Sequence, residues 1–343
     1  MSRRLSTFLI GLLAAAVAAG VARADGLPVI GIEAGPSGVP AEDGSLRYVT
    51  LRAGANTVVA KVAQDGGEIV RSAFLPGRFA VPVVAYDGSA AGLSGDGRTL
   101  VLVRPRTAFP RKRTTFVLLD TNRLRTPQQI TLAGDFSFDA LSPGGGLLYL
   151  IQYVDPGDPT RYRVRAFDVE AGRLLRGEIV DPREPDEAMR GSPITRETSI
   201  DGRWAYTLYD GLGGHPFVHA LDTRGRTAAC IDLDALANRN DLYNLRLALA
   251  AGGRALEVRS GTKPLAVIDT TTFAVSEPEP TPVSTVPPAQ PARSASPPHG
   301  ARGSGTSPWP LVAAVGGGAT LAAAMAAGAL ALRRRKAGLV GGP

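Results

Sequence analysis

The chain has 343 residues, 44% hydrophobic and 20% charged, with 38 Lys and Arg against 31 Asp and Glu for a formal charge of +7. The excess sits wholly in the ends, where Arg3, Arg4, Arg23, Arg333, Arg334, Arg335 and Lys336 stand without an acidic residue, so the charge belongs to targeting and excludes a nucleic-acid reading. One cysteine, Cys230, excludes an intrachain disulfide, and the fold must stand on its core alone.

In chain order, Met1 to Ala24 reads as an export signal. Arg3 and Arg4 form a basic n-region, Leu5 to Ala19 is mostly apolar, and Ala22-Arg23-Ala24 is a small-x-small cleavage site before Asp25. An uncleaved anchor is the other reading of these residues.

Residues 25–275 repeat. Tight-turn signals recur at Asp43-Gly44, Asp96-Gly97, Gly145-Gly146, Asp201-Gly202 and Gly252-Gly253, spaced by 53, 49, 56 and 51 residues. A β-like run leads into each turn, as in Phe136 to Pro143, Glu197 to Ile200 and Leu245 to Leu249. A second run follows it, as in Thr99 to Val103, Leu148 to Tyr153 and Trp204 to Tyr209. A third closes on an Asp at 120, 168, 222 and 269, and a fourth, weaker run follows, as in Gln129 to Leu132 or Gly177 to Val180. Period-two alternation broken by Gly and Asp turns predicts an all-β domain. Four strands per unit of this length predict a β-propeller of about five four-stranded blades. The Asp ending the third run is expected to cap a turn through backbone amides. Six blades follow instead if a divergent one lies between Gly67 and Leu93. Two packed β-sandwiches are the alternative fold, and Pro28 to Gly31 is a candidate closing strand for the last blade.

The phrase hydrophobic-Ser-x-Asp-Gly-Arg, then a β run, then hydrophobic-x-hydrophobic-Asp-Thr, resembles the lactonase-like, YVTN-type β-propeller repeat. Ser199 to Trp204 with Leu221-Asp222-Thr223 carries the pattern in full, Leu93 to Arg98 carries it with one insertion, and Leu141 to Gly145 lacks the Asp. The resemblance spans residues 40–275 and implies the fold, while the repeat hosts unrelated activities. Arg supplies 34 of the 38 basic residues, which with abundant Ala, Gly and Pro fits a GC-rich, actinobacterial-type coding sequence.

Residues 276–310 are rich in Pro, Ser, Thr, Ala and Gly and read as a polyproline-like stalk. Leu311 to Leu332 is an uncharged run of 22 residues. As a transmembrane helix it would reach about 33 Å, enough to span a hydrocarbon core of about 30 Å. The basic residues 333–336 then place the tail 333–343 in the cytoplasm and the rest outside it, held at the cell membrane. A cell-wall sorting signal would need an L-P-x-T-G-like pentapeptide, and Ser304 to Pro310 is not one.

Few residues read as chemistry, and none forms a catalytic or metal motif; no cofactor is expected. His219 alternates within a strand and reads as packed, as does Cys230 in the apolar run Ala228 to Leu233. The acidic, Pro-rich segments at 155–158 and 181–187 lack calcium-loop spacing. A site is expected on loops gathered at one propeller face, at 76–92, 104–113, 154–162, 181–196, 209–216 and 238–246. Its candidate binding residues are Tyr86, Asp87, Arg183, Arg190, Arg196, Asp210, His215, Asn240, Asp241 and Tyr243. The expected role is a membrane-tethered binding module for a protein partner or envelope glycan. The alternative is an extracytoplasmic hydrolase, lactonase-like or glycan-acting, with its site at the propeller channel.

Overall fold

The structure, a computed structural model, describes residues 38–278 apart from 42, 66, 187, 188 and 214. The export signal, the closing strand at 28–31, nearly all of the stalk, the span Leu311 to Leu332 and the basic tail lie outside the described residues. Among the described residues no helix is long and apolar enough to cross a membrane.

The described residues form five consecutive antiparallel sheets, each a simple up-and-down meander. The first holds β1 (Val39–Pro40), β2 (Leu46–Ala53), β3 (Asn56–Ala63) and β4 (Ile69–Leu75). The second holds β5 (Thr99–Val103), β6 (Arg113–Asp120) and β7 (Arg125–Ala133). The third holds β8 (Phe136–Leu141), β9 (Leu147–Tyr153), β10 (Tyr162–Asp168) and β11 (Arg173–Leu174). The fourth holds β12 (Pro193–Thr198), β13 (Trp204–Tyr209), β14 (Phe217–Asp222) and β15 (Thr227–Asp232). The fifth holds β16 (Leu245–Ala250), β17 (Ala255–Ser260), β18 (Lys263–Asp269) and β19 (Val275–Ser276). No sixth blade lies between Gly67 and Leu93, because Ile69–Leu75 completes the first sheet. The fourth run of the third blade is at 173–174 rather than 177–180. Beyond it the chain pulls off the ladder but still donates the Ile179 amide to the Val164 carbonyl at 2.9 Å.

The repeated residues act locally. The Thr99 and Trp204 amides donate to the hydroxyls of Ser94 and Ser199, and those hydroxyls donate to Asp96 and Asp201. Ser142 accepts the Leu147 amide in the same way where the Asp is missing. The Asp ending each third strand caps the next turn: Asp120 takes the Arg123 amide, Asp168 that of Ala171, Asp222 those of Arg224 and Gly225, and Asp269 those of Thr271 and Thr272. These bonds satisfy turn amides that no ladder reaches.

The sheets stack as blades. Tyr48, Val59 and Leu75 of the first meet Leu100, Leu102 and Leu119 of the second. Val101, Phe116 and Leu118 meet Phe136, Leu148 and Leu150 of the third. Tyr149, Ile151 and Val164 meet Ala205, Tyr209 and Leu221 of the fourth. Tyr206, Leu208 and Val218 meet Leu247, Leu256 and Val258 of the fifth. Each fully buried Leu, Ile or Val side chain contributes about 2 kcal/mol of transfer free energy, so these shared faces are the main cohesion between blades. Among the described residues, no buried cluster joins the fifth blade to the first. In the first blade, Leu51, Ile69 and Phe74 are exposed.

The second blade departs from the repeat. Ala80 and Leu93 pair with β5 through single bridges, and the chain between them leaves the sheet as a hairpin closed by Val83 and Ala90. Pro82, Gly88 and Gly92 interrupt the ladder there. The hairpin tip reaches the fourth blade, where the Tyr86 and Asp87 amides donate to the carbonyls of Pro193 and Ile194 at 3.0 and 3.1 Å. The Asp-Gly turns of neighbouring blades also converge. The Asp96 amide donates to the Pro143 carbonyl at 2.9 Å. A Cβ on Gly202 would lie 3.1 Å from Gly95 Cα.

Two buried carboxylates, Asp135 and Asp139, anchor ion pairs between blades. Arg106 meets Asp135 at 2.6 Å with side chains 2% and 1% exposed, and Arg111 joins the same carboxylate at 3.1 Å. Burial and the neighbouring Arg106 charge push the Arg111 guanidinium down to about 10. Arg196 of β12 binds the Asp139 carboxylate of β8, with both side chains buried. Isolated charges could not stay there, since each desolvation cost needs an opposite partner.

Candidate functional site

The ten candidate binding residues separate into distinct settings. Arg196 is not a loop residue: it belongs to β12 and is buried against Asp139, where the ion pair holds the third and fourth blades together. Asp241 is paired with Arg239 at 2.7 Å, and Asn240 beside it is exposed. Arg183 is bound to Asp181 at 2.5 Å.

Tyr86, Asp87, Asp210 and Tyr243 do come together. The Tyr86 and Tyr243 rings meet edge to face at 5.7 Å, and both remain exposed, at 39% and 48%. The Tyr243 hydroxyl donates to Asp210 at 2.7 Å. Partial burial, with Asp210 adding to it, pushes this phenol up to about 12, so it stays a donor at neutral pH. The other Asp210 oxygen accepts the amides of Ser192 and Leu212, at 2.8 and 3.0 Å, and fixes the loop between β13 and β14. Asp87 stands 3.6 Å from Arg246. This aromatic pair draws one ring from the second-blade hairpin and one from the approach to the fifth blade.

Arg190 and His215 line a different feature, a cleft of about 500 Å³ on the fourth blade. Its walls are Ile179, Val180 and Met189 on the connector from the third blade, with Phe217, His219 and Cys230 on β14 and β15. Asp181, Glu184, Asp232 and Asp234 complete the lining. The volume lies within the range of small-ligand sites. The four-residue connection from β14 to β15 sets the register that places His219 directly opposite Cys230. His219 is 3% exposed, its ring stands edge-on to Tyr209 at 6.4 Å, and burial pushes its pKa from the usual 6.5 down to about 4. The imidazole is therefore neutral. Cys230 is half-buried and its amide donates to Asp181 at 2.9 Å. Burial alone would raise Asp181, yet hydrogen bonds from Arg183 and the Cys230 amide hold it down to about 2. At the rim His215 lies 3.2 Å from Asp234, both well exposed. Among the described residues no group of three or more His, Cys, Asp and Glu is placed to hold a metal ion.

Read as packing residues in the sequence, His219 and Cys230 are the side chains that the cleft adds. The signal was present: each lies three residues from the ends of one tight turn, and alternation sends both to one face. What the sequence could not show is the connector standing off that face and leaving it open.

No family model matches the chain, and no curated protein matches it. Several solved structures are similar in outline. Hydrazine synthase from Kuenenia stuttgartiensis is 17% identical, with 71% of this chain and 77% of that one covered and a TM-score of 0.39. TolB from Acinetobacter baumannii is 15% identical, with 70% and 54% covered and a TM-score of 0.37. The β-propeller domain of Cps50 (Swd1) from Myceliophteria thermophila is 12% identical, with 67% and 73% covered and a TM-score of 0.39. These likenesses are distant and carry no function, and the fold rests on five stacked, antiparallel meander sheets: the chain is an all-β, β-propeller-type protein.

Proposed function

We propose that the chain is a membrane-tethered propeller working outside the cytoplasm as a binding module for a protein partner or an envelope glycan. The exposed Tyr86 and Tyr243 pair beside a 500 Å³ cleft carries this reading. Exposed aromatic rings next to carboxylates offer large contact area with little entropy loss, which suits protein hot spots and sugar faces alike. Asp210 ties the two features together, bonding Tyr243 on one side and holding the cleft loop on the other. The tether comes from the sequence of the ends.

Two measurements test the proposal. Purified full-length chain is offered immobilised envelope polysaccharide and envelope protein. The Tyr86→Ala/Tyr243→Ala double variant should lose about tenfold or more of the capture, the scale of a hot-spot pair, with melting nearly unchanged. Undiminished capture would move binding elsewhere. Turnover of a lactone or glycan would favour the hydrolase reading, for which the cleft carboxylates Glu184, Asp232 and Asp234 are the residues to replace. For topology, external protease on intact cells should release a soluble fragment cut within 276–310. Protection of the propeller with digestion of a C-terminal tag would reverse the orientation.

A further inference from the structure

The cleft on the fourth blade has a chemistry of its own. The connector lines it with Asp181, Glu184 and Arg190, and the far wall adds Asp232 and Asp234. That makes four carboxylates to one guanidinium along the opening. Asp181 is already engaged by Arg183, whereas Glu184 and Asp232 form no ion pair among the described residues. The inner walls are apolar, from Ile179, Val180, Met189 and Phe217. At the floor stands His219, 3% exposed, whose ring nitrogens have no hydrogen-bond partner among the described residues.

We propose that this cleft binds a cationic group carried on an aliphatic stem, the chemistry of a lysine or arginine side chain presented by a partner. The inference rests on the binding reading above and narrows it for this site. The stem lies along Met189, Phe217 and Val180, and the carboxylates of the cleft draw the charge inward from the rim. An N–H of the cation donates to the imidazole lone pair at the floor. A carboxylate-bearing ligand would meet the same rim as a repulsion, and a neutral sugar would leave the acidic excess without a counter-charge.

Cys230 is the only cysteine of the chain and lines the cleft, so it reports occupancy directly. The full-length chain is alkylated with iodoacetamide in the presence of agmatine, a blocked Gly-Lys-Gly peptide, or the isosteric Gly-norleucine-Gly. Saturation-transfer NMR of the same probes provides a second readout that does not depend on thiol reactivity. Agmatine and the lysine peptide should slow alkylation about threefold at about twice their dissociation constant, and norleucine should not. Protection by agmatine alone identifies a free amine as the source of the cation, and protection by the peptide identifies a polypeptide side chain. Asp232→Asn/Asp234→Asn should abolish protection without shifting the melting point, and His219→Gln should weaken it. Equal effects of lysine and norleucine, or no effect in either readout, would overturn the proposal. Lost protection with retained capture refutes only this inference. Lost capture on changing Tyr86 and Tyr243, with protection intact, bears only on the aromatic face.

Discussion

Between about pH 6.5 and 4.5, acidification should weaken this fold chiefly through His219. Buried at 3% exposure, its imidazole has a pKa of about 4 in the folded chain against 6.5 when exposed. The unfolded chain therefore takes up a proton between those values that the folded chain refuses. Stability is complete above the unfolded pKa and falls as the pH drops toward the folded one. At about 1.4 kcal/mol per pKa unit the full shift amounts to about 3 kcal/mol, of which about 2.5 is lost by about pH 4.5. Against a typical total of about 5–15 kcal/mol this is a large fraction. Asp181, held at about 2, contributes its loss mainly below this window, because its unfolded value is near 3.8. Glu197, raised by burial, works with the opposite sign, favouring the folded state at low pH. The assay is urea denaturation followed by the fluorescence of Trp204, which packs on Tyr206 and Phe273 next to this blade's core. The wild type should lose its midpoint steadily from about pH 6.5 to 4.5, and His219→Gln should be nearly flat over the same range, whatever its absolute stability. Parallel slopes would refute the assignment of a buried neutral imidazole.

Other perturbations separate the remaining claims. Asp135→Ala leaves Arg106 and Arg111 facing each other in the interior and should cost about 3–5 kcal/mol in denaturant titration; a loss below about 1 kcal/mol would mean that water reaches the pair. Gly202→Ala should destabilise more than Gly97→Ala in thermal melts. Both positions have φ of +68°, but a Cβ at 202 meets Gly95 Cα at 3.1 Å while one at 97 has nothing within 4 Å. Tyr149→Phe removes the hydroxyl that donates to the Thr223 carbonyl at 2.8 Å and should cost about 1 kcal/mol, measured by the same melts.

What the sequence showed was what short-range chemistry decides. The second and third strands of each unit, the Ser and Asp turns and the Asp caps all bond within a few residues of themselves, so spacing and alternation expose them. The inner edge of the second blade was opaque because Pro82 and Gly92 end the alternation and the partner of Tyr86 is at Pro193, more than a hundred residues away. Arg196 was misplaced for the same reason. An Arg in a short strand looks solvent-facing until Asp139, 57 residues earlier, is brought against it. The cleft is less legible still. Its far wall is an ordinary strand face, and its volume depends on how far Ile179, Val180 and Met189 stand away from it.

The succession of shared faces has an energetic consequence. With four buried clusters joining five sheets, the inner blades are clamped on two sides and the outermost ones, within the described residues, on one. Apart from the second-blade hairpin, which reaches the fourth and fifth blades, these couplings run between nearest neighbours, and in such an array the free energy of local opening rises from the ends toward the middle. Amide protection would then be greatest in the third blade and least in the first. The cleft, on the fourth, occupies intermediate ground: firm enough to hold its walls in register, yet only one coupling from a terminus that opens more readily.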